Sequence, residues 1–285
     1  SAGAAGAAGD GVAEAGEAAA VEVAGSGDSG VAADSAAAAE GGASEMNERI
    51  GQQLERLLTA LDAAGVGPYR AVLHGSAARD QHIPGWSDVN VVLIFDAITT
   101  DTLQRLTGPL SQWRGESQAL PLMLTHDEWL RSADSYPLEV AEMRTGYKVL
   151  RGPDPVVELT VSPADLRQAL ERELRGKLLR LRQGYALLAG DQAQMGEFLR
   201  RSISAVLFLC RGLLVLAGET PPHDPVDLAN RAGRVAKFDG PALARVVTRR
   251  GVTEWNATEA DVRGYLGAVE QAALFVDHFQ TGEGA

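Results

Sequence analysis

Two short apolar runs, YRAVLHG at 69–75 and DVNVVLIF at 88–95, constrain this chain more than any other feature. Each is too short for a typical helix, is rich in Val, Leu and Ile, and is bounded by Gly, Pro or Asp. Both therefore read as strands buried in a sheet. Such strands need further strands beside them and helices packed over them. A third run, ALPLMLT at 119–125, and a fourth, YKVLRG at 147–152 closed by the turn GPDP, supply the neighbours.

The helices are marked by spacing and by end signals. Met46, Ile50, Leu54, Leu57, Leu58 and Leu61 recur on one helical face, and Gly65 and Gly67 end the pattern. TTDTLQRLTGPLSQW, at 99–113, reads as a helix leading to the third strand. Beyond residue 160 the period changes for good. Ser162 stands as an N-cap before Pro163, and Leu166, Leu170, Leu174, Leu178, Leu181, Tyr185 and Leu188 form a single apolar stripe. The segment 196–217 is apolar nearly all round, as the central helix of a bundle is. The break GETPPHDP follows, and two more helices are expected near 241–250 and 259–279, the last opened by TEAD at 258–261. The expected fold class is α+β: a helix, a small mixed sheet, then a bundle of four or five helices.

Residues 1–45 differ from all of this. They are almost entirely Ala, Gly, Ser, Asp and Glu, with eight acidic residues and no Lys or Arg, so they hold −8 of the net charge of −12. Without aromatic residues or apolar periodicity they bury too little surface to offset chain entropy, and a disordered tail is expected. The division is then 1–45 tail, 46–160 sheet domain and 161–285 helical domain. The folded part lacks the clustered basic excess that nucleic-acid binding needs. One cysteine, Cys210, sits in the apolar run SAVLFLCRGLLVLAG, which suits a buried inert thiol in a reducing cytoplasm. That run is too short and, with Arg211, too charged to span a bilayer. No signal peptide is legible at the N-terminus.

The chemistry gathers between the first two strands. Gly75 and Ser76 lie where a strand gives way to a turn, a place where backbone N–H groups are free for phosphate oxygens and a missing side chain permits close approach. In a strand, residues two apart share a face, so Asp88 and Asn90 point the same way. If the two strands are neighbours, a triphosphate on the turn and a cation on the carboxylate make a layout for phosphoryl or nucleotidyl transfer. Arg79, just after the turn, either reaches a phosphate or is a solvated residue.

LHGSAARD…GWSDVNVVLIF resembles the signature of the nucleotidyltransferase superfamily related to DNA polymerase beta, and most of all its aminoglycoside adenylyltransferases and minimal nucleotidyltransferases. The specific likeness covers about 25 residues. The resemblance implies a nucleotidyltransferase-like mixed sheet with flanking helices and a C-terminal helical bundle. It implies Gly75 and Ser76 on the nucleotide triphosphate, Asp88 on Mg²⁺, and Asn90 at the position of the second metal-binding carboxylate. There the pattern fails, because an amide brings no charge and Mg²⁺ sites depend on carboxylates. The third carboxylate has no counterpart in ALPLMLT; Glu139 and Glu142 could approach only from elsewhere in the chain.

Three functions follow as expectations. The first is a degenerate nucleotidyltransferase, a pseudoenzyme that binds a nucleotide or phosphate ligand with Mg²⁺ and transfers little or nothing. The second is an active nucleotidyltransferase acting on a hydroxyl of a small molecule or protein, with a distant Glu such as Glu139 completing the set. The third is a non-catalytic scaffold or antitoxin-like partner acting through the bundle. The expected protein is cytoplasmic, with no membrane and no nucleic-acid partner; a homodimer is left open. The five histidines, His74, His82, His126, His223 and His278, show no metal-ligand spacing. His74 reads as a core residue and His126 as a neighbour of the same cleft. The basic residues from Arg167 to Arg182 read as a solvated helix face rather than a phosphate wall. Arg211, a charge inside an apolar helix, requires a partner or a ligand.

Overall fold

A computed structural model describes residues 35–80, 89–116, 119–252 and 254–281, with 35–46 as helical backbone only. Two units are distinguished, 1–40 and 41–285. Of the first, the described part is the beginning of helix α1 (Ser35–Ala64). This helix starts before the expected position near Met46: Ser-Ala-Ala-Ala-Ala-Glu is strong helix-forming sequence even where it has no apolar stripe. Residues 1–34, the rest of the expected tail, lie outside the described residues.

All four expected strands form: β1 (Tyr69–His74), β2 (Asn90–Phe95), β3 (Leu122–Thr125) and β4 (Tyr147–Arg151). Their order is β3-β2-β1-β4, with β2 parallel to β3 and the other pairs antiparallel, so the sheet is mixed. Val91, Leu93 and Phe95 alternate with Val92 and Ile94, and both sets are buried. One face packs under α1 and α2 (Thr100–Glu116), where Leu54, Leu57, Leu61, Leu106 and Trp113 meet it. The opposite face holds Val72, Val92 and Ile94 against Trp129, Val140 and Met143. A strand buried on both sides has no polar face, which is why these runs read as continuous rather than alternating.

The opposite face is covered by three short helices that the apolar pattern does not announce: α3 (His126–Leu130), α4 (Ser132–Ser135) and α5 (Pro137–Met143). Thr125 and Glu128 cap α3 reciprocally. Trp129 donates its indole N–H to the Pro155 carbonyl at 2.9 Å, which satisfies the polar atom of a fully buried ring. Helix α5 faces two ways. Val140 and Met143 join the core under the sheet, while Leu138 and Ala141 join the core of the helical half.

That half is built from α6 (Pro163–Leu188), α7 (Gln192–Leu216), α8 (Pro225–Ala236), α9 (Gly240–Thr248) and α10 (Glu259–Asp277). The fold class is α+β, and the bundle has five helices among the described residues. Ser162 caps α6 as expected, accepting from the N–H groups of Ala164 and Asp165. Gly196 on α7 allows the chain near Trp255 to lie directly on the helix: a Cβ there would stand 1.8 Å from the Trp255 carbonyl oxygen. Among the described residues no helix is long and apolar enough to cross a membrane.

Candidate functional site

The strands β1 and β2 are neighbours, as the site requires, and their register sets His74 opposite Asn90. The chain then leaves β1 through Gly75, whose φ of +78° lies in the left-handed region that side chains disfavour. A Cβ on Gly75 would also meet Asn90 Nδ2 at 2.9 Å. Both the backbone angle and the Asn90 amide therefore disfavour a side chain here. The turn continues with Arg79 N–H donating to Ser76 O at 3.2 Å and Asp80 N–H donating to Ala77 O at 3.4 Å. Ser76 is half-buried. Asp88, the expected metal ligand, lies outside the described residues, as does His82.

Arg79 does not take the solvated role considered for it. It is not solvated: its side chain is 7% exposed, and its Nη1 stands 2.6 Å from Oε1 of Glu142, itself 8% exposed. Gly146, just before β4, makes room for it, since a Cβ there would lie 2.7 Å from Arg79 Cγ and 3.8 Å from His223 Cε1. Glu142 does come to the turn from elsewhere in the chain, on α5, but it arrives already paired. The Glu139 carboxyl is held above the ordinary glutamate value, chiefly by desolvation, with Glu173 and Glu142 adding to the shift and Arg172 opposing it.

Arg211 finds the partners its position demands. Its Nη1 donates to Pro222 O at 3.0 Å and its Nη2 to His223 O at 3.4 Å, fixing the loop that follows α7. Burial, then the nearby Arg79, bring its pKa down to about 10, with Glu142 opposing them. The same neighbourhood acts on His74, which is half-buried rather than fully in the core. Desolvation holds its imidazole below the ordinary histidine value, Glu142 opposes that shift and Arg79 adds to it.

Other candidates fall away from the turn. His126 lies 3.7 Å from Glu158. The basic residues of α6 are a solvated face, as expected: Arg175 pairs with Glu171 and Asp277, Arg167 with Glu171, and Arg182 with Glu270. Cys210 is buried, and desolvation raises its thiol to about 12, which leaves no thiolate for chemistry near neutral pH.

The Mg²⁺ that the sequence resemblance implies can be tested against these donors. Among the described residues no group of three or more His, Cys, Asp or Glu side chains is placed to hold a metal ion. Asn90 is neutral, and the carboxylate of Glu142 is occupied by Arg79. The described residues do not fit a divalent cation held by several carboxylates. No protein-family model matches the sequence, and no curated protein matches it.

Proposed function

We propose that this chain is a nucleotidyltransferase-like binding protein. It takes a nucleotide or other phosphate ligand at the Gly75–Ser76 turn and carries out little or no transfer. The observation behind this reading is the contact of Gly75 with Asn90 at the end of β1, where an amide stands beside the turn in place of a carboxylate. A site that promotes nucleotidyl transfer must offset the charge of two close cations with several carboxylates. Here the second position is neutral and the one carboxylate seen to arrive from α5 is bound to Arg79. Binding needs less: a strand exit without a side chain, backbone N–H groups and nearby positive charge.

Isothermal titration of ATP and GTP, with and without Mg²⁺, tests the reading on the intact protein and on Asp88→Ala and Asn90→Asp. Binding by the intact protein, weakened by a bulky substitution at Gly75, is the expected result. If neither nucleotide binds at millimolar concentration, a concentration at which even a weak site of about −4 kcal/mol is half filled, the reading fails.

A further inference from the structure

The junction between sheet and bundle holds an unusual balance of charge. Two guanidinium groups, Arg79 from the turn and Arg211 from α7, lie within electrostatic reach of each other and of Glu142, whose carboxylate pairs with Arg79. Both arginines are largely buried. Like charges brought together out of water repel strongly, and one carboxylate offsets only one of them.

The hydrogen bonds are incomplete as well. Arg79 Nε is buried without a hydrogen-bond partner, while Nη1 is in ion-pair contact with Glu142 at 2.6 Å. Nδ1 of His74 is likewise buried and unpartnered. Buried polar atoms left in this condition are costly, and native folds rarely keep several in one place without a use for them. Arg211, by contrast, is held firmly by two backbone carbonyls. One guanidinium is thus fixed from the bundle, and the other keeps a buried Nε without a hydrogen-bond partner. His74 and Ser76 are both half-buried.

We propose that Arg79 and Arg211, with His74 beside them, form an oxyanion site for a phosphate-type group, supplying the positive charge that Mg²⁺ would supply in a carboxylate-rich site. This rests on the phosphate-ligand reading above and makes it specific: the ligand's charge is met by guanidinium, so binding does not require a divalent cation. Arginine suits the task because its planar fork donates two parallel hydrogen bonds to an oxyanion and its charge persists when buried. Glu142 then serves to hold Arg79 in place while the site is empty.

The probe is pyrophosphate, titrated into the full chain in EDTA and again in Mg²⁺, at constant ionic strength. The same titration is made with Arg211→Met, with Arg211→Lys, and with the paired change Arg79→Met/Glu142→Leu, which removes both charges together. Binding in EDTA that weakens about tenfold or more in Arg211→Met and in the paired variant is expected, with a smaller loss in Arg211→Lys. If Arg211→Met does not fold, a thermal midpoint of the intact protein raised by pyrophosphate over chloride at equal ionic strength, and less so in Arg211→Lys, decides in its favour. Absence of pyrophosphate binding in EDTA overturns the proposal, as does binding that none of these variants weakens. Nucleotide binding that requires Mg²⁺ and is lost in Asp88→Ala but indifferent to Arg211 overturns it while leaving the proposed function intact. Pyrophosphate binding without nucleotide binding keeps the oxyanion site and removes the nucleotide from the proposed function.

Discussion

At the scale of single residues, the turn after β1 is the most constrained point of the chain. Gly75 is held by its positive φ and by the Asn90 amide at once. Gly75→Ala is expected to cost about 1–3 kcal/mol in urea unfolding, since a left-handed alanine is strained and its Cβ must push Asn90 aside. Adding Asn90→Ala should recover part of that loss, the steric part, and leave the backbone part. Full recovery would mean that φ contributes nothing; no recovery would mean that the contact is unimportant. Gly75 was legible in the sequence because a strand exit favours glycine. The partner of Arg79 was not. Glu142 lies far along the chain, and no local pattern joins a turn residue to a short helix whose apolar face is split between two cores.

At the scale of elements, α5 explains both what could be read and what could not. The long helices and the four strands announce themselves through leucine stripes and β-branched runs. Helix α5 is too short to show a period, and α8 buries Leu228, Ala229, Ala232, Gly233 and Ala236, a face made mostly of small residues that carries little hydrophobic contrast. The cap of α8 was in view, in Asp224 followed by Pro225, but the same letters also read as a break. Because α5 packs under the sheet and into the bundle, the Arg79–Glu142 pair ties the turn to the element that joins the two halves. Removing one partner leaves the other charge buried, so Arg79→Met and Glu142→Leu should each destabilise by about 3–5 kcal/mol. The double variant should lose much less than the sum. Additive losses in chemical denaturation would show that the two side chains do not act as a pair.

At the scale of the whole molecule, the charge balance predicts a pH dependence. The folded state holds His74 below its ordinary value, mainly through burial, with Glu142 opposing and Arg79 reinforcing. As pH falls below the unfolded histidine value of about 6.5, the unfolded chain takes up this proton first and the folded state loses stability until the folded value is passed. Above that window both states are neutral and His74 contributes nothing. The carboxyls of Glu128, Asp191 and Asp261, held below their usual range, act only at more acid pH. Unfolding free energy should therefore drop between about pH 7.5 and about pH 5.5, and the drop should shrink in His74→Gln. An unchanged slope in that variant would place the effect elsewhere.

The larger question is whether the turn at the end of β1 binds a phosphate ligand without reacting. Incubating the protein with ATP labelled on its α-phosphate, and reading retained label and released pyrophosphate from one sample, answers it directly. The account predicts retained nucleotide with no pyrophosphate above the protein-free control. Release of pyrophosphate in step with labelled product would show an active transferase, and neither retention nor release would contradict the phosphate-binding reading altogether.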